Sequence, residues 1–407
     1  MKTLFKVLAL SVLVTAFSTV TFAQEEDLAT MYARFRTEIK AKCGERSAAL
    51  ATGKTIIEKF AADPLNGDVI KYVRDKVAAI EKEDPACRRS DAYNKAFETK
   101  NWANFFTAGK EVISAEGPNS PLALDVMLDL VSVGYDRAAL DKVDTYNADT
   151  MTFAKTALER LNAGTASSTK KYGAWLPFET KEAAQSWMNY IIGWQMYNKL
   201  NQQKEALTYF YKASQIGTAK KNDTTIYTNI GKFYFDEAVR LDTEYRDKRK
   251  ANNNEDNDET KALLALARGT ADRASDAFGR AYKIASQDPK LATLKTNIAK
   301  TLSDLYKFRF NLADAKQADI DKYVNDLVAK PMPDPAVAVT PVVEVTPTTT
   351  TTTSTTSTTL NTTNAAATST TPTPAATTNS GKTTPATKTT TKTTTTVKKP
   401  VKKKGTR

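Results

Sequence analysis

Hydrophobic residues recur every three or four positions along most of the chain, the spacing of helices that bury one face. Leu28, Met31, Tyr32, Phe35 and Ile39 share one stripe and predict a helix within 25–42. Ile56, Ile57 and Phe60 mark a second, and Val69, Ile70, Val73, Val77 and Ile80 a third. Further stripes run through Trp102, Phe105, Phe106, Gly109 and Val112, then Leu122, Val126, Leu130 and Val133, then Tyr146, Phe153, Leu158 and Leu161. After a pair within 181–217, one more follows over 224–250 through Tyr227, Ile230, Phe233, Tyr234, Ala238 and Leu241. Three more are predicted near 260–286, 291–312 and 316–329. Asp63-Pro64, Asp84-Pro85 and Asp288-Pro289 predict helix ends, because proline removes a backbone donor and crowds the preceding turn. The expected fold class is all-α.

Two interruptions stand out. Residues 164–180 are polar and then aromatic, with Tyr172, Trp175 and Phe178 around Gly173 and Pro177. This segment reads either as an exposed recognition loop or as a loop folded back between two helical halves. Residues 252–258 are acidic and Asn-rich with no core residue, and are expected to be exposed and mobile. They lack the spacing and central glycine of a calcium loop.

The stretch Trp187–Ala213 carries Gly193, Tyr197, Leu200, Ala206, Phe210 and Ala213 at spacings that put small residues and rings on facing helix sides. It resembles a tetratricopeptide repeat, with Gly193 one place early. Thr228-Asn229-Ile230-Gly231-Lys232 returns as Thr296-Asn297-Ile298-Ala299-Lys300, an offset of 68 that is twice that family's period of about 34. The resemblance implies antiparallel helix hairpins stacked into a solenoid. The first helix of each hairpin would line a concave face that binds a peptide or protein. It places Asn229, Lys232, Asn297 and Lys300 on that face as candidate ligand-binding residues. The competing readings are an ordinary amphipathic helix pair and a solvated helix face. The organisation expected is 24–163 as an N-terminal helical region, 164–180 as a linker, 181–330 as repeat-like helices and 331–407 as a disordered tail.

Composition narrows the chemistry. The chain has no histidine, which removes the commonest general base and metal ligand. No Gly-rich phosphate loop is present. The expectation is a protein that is not an enzyme, with no catalytic residue, metal or cofactor. A carboxylate-based hydrolase or transferase is the third-ranked reading.

The net charge of +12 is unevenly spread. Residues 345–407 hold nine Lys/Arg and no acid, and Lys2 and Lys6 lie in the first 23 residues, which leaves 24–344 close to neutral. Lys2 and Lys6, the apolar run 7–17 and Thr21-Phe22-Ala23 read as a secretory signal peptide over 1–23, the alternative being an uncleaved anchor. No later segment is long and apolar enough to span a bilayer. Export favours a disulfide between Cys43 and Cys87, the only two cysteines, over two unpaired thiols.

From Pro331 on, Pro and then Thr dominate, so the segment has little to bury and reads as an extended stalk open to O-glycosylation. Lys398, Lys399, Lys402, Lys403 and Lys404 cluster at its end. They suit attachment to an anionic envelope polymer or lipid surface, or a purely solubilising role. Nucleic acid is disfavoured, because aromatics do not interleave with the charges. The function expected is an exported, non-catalytic interaction scaffold of the periplasm, cell envelope or extracellular space. The alternative is an envelope-attached structural protein that works through its tail.

Overall fold

The computed structural model describes residues 26–174, 178–217 and 219–343. Among them are twelve α-helices and two short 3-10 turns. The helices are α1 (Leu28–Glu38), α2 (Ser47–Phe60), α3 (Gly67–Glu98), α4 (Trp102–Glu116), α5 (Pro121–Ala139) and α6 (Asn147–Asn162). They continue as α7 (Lys181–Asn198), α8 (Gln203–Gln215), α9 (Thr224–Ala251), α10 (Asp258–Ala285), α11 (Ala292–Phe310) and α12 (Gln317–Val328). Helices pack mainly on their neighbours in sequence, with α10 holding α9, α11 and α12 together. The all-α expectation holds for the described residues.

Two hydrophobic cores form. Met31, Phe35, Ile56, Val73, Val77 and Ile80 fill a small one between α1, α2 and the first half of α3. A large one runs from Ala96 at the end of α3 through α4–α12 to Met332. Helix α3 belongs to both, with Ile70–Ile80 in the first and Tyr93, Ala96 and Phe97 against the second.

That continuity corrects the helix end expected at Asp84-Pro85, since α3 passes straight through Pro85. A proline inside a helix costs about 3 kcal/mol through one lost bond and a ring clash. The surroundings offset it. Cys43, in the α1–α2 connection, is disulfide-bonded to Cys87, two residues past the proline. Arg46 donates its backbone N–H and Nε to Asp84 at 3.0 and 2.8 Å, and its guanidinium reaches Glu83 at 2.9 Å. The other two Asp-Pro pairs do mark helix ends. Asp63 and Asp288 each accept from the backbone N–H two residues on, and a 3-10 turn leads into the next helix.

The α7–α8 hairpin forms as its residues imply. Asn201 takes the left-handed φ of 54° in the turn. A Cβ on Gly193 would lie 3.0 Å from the Phe210 ring, so glycine sets how close the helices come. Tyr197 flanks the same ring at 6.0 Å between centroids. The pairing recurs between α9 and α10, where a Cβ on Gly231 would meet the Phe278 ring at 2.9 Å. Thr228 and Thr296 stand at the same depth from the starts of α9 and α11, and the Ile two places on is buried in both.

Loop 163–180 folds back onto α5 and α7 in its described part. Phe178 is buried, bridges to Tyr172 and lies 6.0 Å from the Trp187 ring. Trp175 and Pro177 lie outside the described residues. The 252–258 loop is exposed almost throughout.

The tail expectation needs a correction at its start. Residues 331–343 are not a free end: they lie as a strap along α10, with a turn at 334–337 and Met332 buried. The signal segment 1–23, the rest of the tail and Lys398, Lys399, Lys402, Lys403 and Lys404 fall outside the described residues. Among the described residues no helix is long and apolar enough to cross a membrane.

Candidate functional site

Why does the strap dock? Pro331, Pro333, Pro335 and Pro341 fix φ and bring no N–H, so the segment carries more acceptors than donors. A partner for it must donate. Arg273 on α10 does so with its planar fork, giving to the carbonyls of Asp334, Val337 and Ala338 at 2.9, 2.8 and 2.9 Å. Its Nη1 also reaches the Tyr234 hydroxyl on α9 at 3.2 Å. Arg280, steadied by Asp276 at 2.9 and 3.0 Å, donates to the Lys330 carbonyl at 2.6 Å. Near the strap's end, Val342 N–H donates to Ala265 O at 2.8 Å.

The strap also needs room. A Cβ on Gly269 would stand 2.1 Å from the Thr340 carbonyl oxygen, a distance no side chain tolerates. Gly269 thus lets an extended backbone lie directly on a helix backbone. Burial of Tyr234 raises its hydroxyl pKa, so it stays protonated beside Arg273. The polar contacts are to backbone carbonyls, while Met332 and Val339 add side-chain packing on the core.

The four residues that the repeat resemblance singled out occupy unequal settings. Asn229 is buried at 3% exposure and its Nδ2 has no hydrogen-bond partner. Lys232 is half exposed and pairs with Asp236 at 2.8 Å. Asn297 and Lys300 are exposed on α11. Between them, Ala299 joins Tyr282, Ile320 and Val324 around a cavity of about 220 Å³ among α10, α11 and α12. Identical residue types therefore differ in depth, because α9 is covered by α8 and α10 while α11 lies nearer the end of the helix series.

Two polar groups escaped the sequence reading. Lys220, in the α8–α9 connection, is 6% exposed and pairs with Asp223 at 2.8 Å. Its Nζ also lies 3.4 Å from the Trp187 ring centroid and 3.8 Å from that of Tyr190, whose hydroxyl is 3.2 Å from Tyr135 Oη. Burial works against the Asp223 charge, yet Lys220 and the Thr225 N–H bring its carboxyl below the ordinary value. Nearby Asp136 is pushed up to about 7, by burial first and then by Asp141, with Lys220 opposing.

The second group is a pair of buried carboxylates one turn apart on α5. Asp125 Oδ2 accepts from Ser168 N–H and Oγ at 3.0 and 2.6 Å. Asp129 accepts from the Ala174 N–H at 2.6 Å and from Tyr93 Oη at 2.9 Å. Burial, and then Asp129, raise the Tyr93 pKa. The only advance signal was that α5 carries acids at i and i+4 within an otherwise apolar helix. Among the described residues no three cysteine or acidic side chains converge in a way suited to a metal ion. No protein-family model, curated protein or solved structure matches the chain.

Proposed function

We propose that this chain is an exported, non-catalytic interaction scaffold whose tetratricopeptide-like helix pairs hold a peptide or protein segment. The observation that carries the reading is Arg273, which gathers three carbonyls around the 334–337 turn of the strap, while Gly269 lets the backbone at Thr340 come close. The α9–α10 pair is thereby suited to backbone recognition of a partner, with the strap as its occupant in cis. The ligand roles inferred for Asn297 and Lys300 rest on their exposure beside the cavity at Ala299. Asn229 and Lys232 would serve only after Asn229 is uncovered and the Lys232–Asp236 pair opens. The Cys43–Cys87 bridge agrees with an oxidising compartment.

The test is cross-linking in the envelope fraction. Partner capture should rise when residues 331–407 are removed and fall when Arg273→Ala is added to that truncated chain. Capture indifferent to both changes would sink the reading. A second reading rests on the nine uncompensated basic residues of 345–407. There the tail binds an anionic envelope polymer, and raised salt should release the full chain from envelope material.

A further inference from the structure

Helix α12 and the strap form one arm laid on one helix. Of its twelve residues α12 buries only Ile320 and Val324. Tyr323 Oη donates to Asp272 on α10 at 2.6 Å. Val324 and Val328 fill the space beside Gly279, where a Cβ would meet them at 2.8 and 3.0 Å. The strap then follows the same helix back past Arg280, Arg273 and Gly269 to Ala265. Residues 311–316 alone join this arm to α11. They are exposed apart from the half-buried Ala315, and at about 3.3 Å per residue they reach ~20 Å. Asn311 turns the chain there in the left-handed region, at a φ of 50° that a straightened connector does not need. The 220 Å³ cavity among α10, α11 and α12 leaves the arm less tightly seated than a filled core would. Phe310 and Leu312, at the base of the connector, are 39% and 37% exposed.

We propose that the α10 face takes the arm of a second copy of this chain, the two copies exchanging residues 317–343. Each contact the arm makes in its own chain is made again across the pair, so exchange alters only the connector and the entropy of association. Two connectors crossing between the copies bring Phe310 and Leu312 of both together, which covers apolar surface that the closed chain leaves in water. Reciprocal exchange closes on two copies and does not propagate. The inference rests on the same α10 face as the scaffold reading and names its partner. The two fail separately. Capture of a foreign protein through Arg273, without exchange, ends this inference alone, and exchange without foreign capture ends the scaffold reading alone.

The experiment mixes two full-length chains of different tag, one with Ala265→Cys and one with Val342→Cys, under mild oxidation. The Val342 N–H donates to Ala265 O at 2.8 Å, which brings the two positions within disulfide reach. Both substitutions in one chain serve as the control and should close within that chain. The mixture should yield a covalent heterodimer that increases over about a hundredfold range of chain concentration. Val342→Cys mixed with Lys300→Cys, an exposed position away from α10, should yield far less. Light scattering on the wild type keeps the proposal testable if a cysteine variant fails to fold, and the mass should rise toward two chains over the same range. Absence of the 265–342 heterodimer while the single-chain control closes overturns the proposal. So does a yield no greater than with Lys300→Cys, a wild type that stays monomeric throughout, or a mass that grows past two chains.

Discussion

Lys220 Nζ sits 3.4 Å above the Trp187 ring, closer than the ordinary reach of a cation–π contact, while also ion-paired to Asp223. This lysine is 6% exposed, so its charge is tolerated only because ring faces and a carboxylate replace water. Lys220→Met preserves the stem and strands Asp223, which also caps α9 through the Thr225 N–H. Urea denaturation should show a loss of about 3–4 kcal/mol, partly recovered by adding Asp223→Asn. Wild-type stability in the single variant would mean the pair contributes nothing.

Asp136 gives the fold an unusual pH response. Its carboxyl is pushed up to about 7 from an ordinary 3.8. Between those values the folded chain binds more protons than the unfolded one, so stability falls as pH rises from about 4 to about 7. The Asp136→Asn variant should lack this loss. At a partly exposed carboxyl the difference should be about 2 kcal/mol, after allowing for solvent screening. Thermal melts of both proteins across that range would show it, and parallel curves would refute it.

Reducing Cys43–Cys87, or replacing both by serine, should loosen one end of the molecule selectively. The bridge spans 44 residues, for which the chain-entropy model gives roughly 4 kcal/mol. The Pro85 defect then loses its outside clamp. Hydrogen exchange should accelerate in α1, α2 and the first half of α3, and leave α7–α10 protected. Uniform loss of protection would contradict the division into two cores.

Gly269→Ala separates local from tertiary effects. Alanine favours a helix interior over glycine by about 1 kcal/mol. Its Cβ, however, would collide with the Thr340 carbonyl. The Val342 amide should therefore exchange faster and 331–343 become sensitive to protease, while α10 itself keeps or gains stability. An unchanged Val342 amide would show that the strap bends away at no cost.

The helices were legible because each needs an amphipathic stripe, and a stripe is a local property. What lay hidden was decided at a distance. Pro85 reads as punctuation until Cys43 and Arg46, some forty positions earlier, hold the helix around it. The 331–343 segment reads as unable to fold because its own side chains bury little, and its anchor is an arginine on another helix. Asn229 and Asn297 share flanking residues, yet neighbours bury one and not the other. Lys220 sits among lysine, asparagine and aspartate, a setting that suggests water and gives no sign of Trp187. The sequence singled out residues on α9 and α11, whereas Arg273 and Gly269, on the helix between them, carry no local mark of their contacts with the strap.

The strap also decides where mechanical load would enter the domain. Tension on the chain beyond Val343 meets α10 beside Ala265 before it can reach α12. The first restraints to give are the Val342–Ala265 bond and then the carbonyls gathered by Arg273, each released singly. A pull on the tail would thus be borne first by α10, and α12 would feel it only after that reserve is spent.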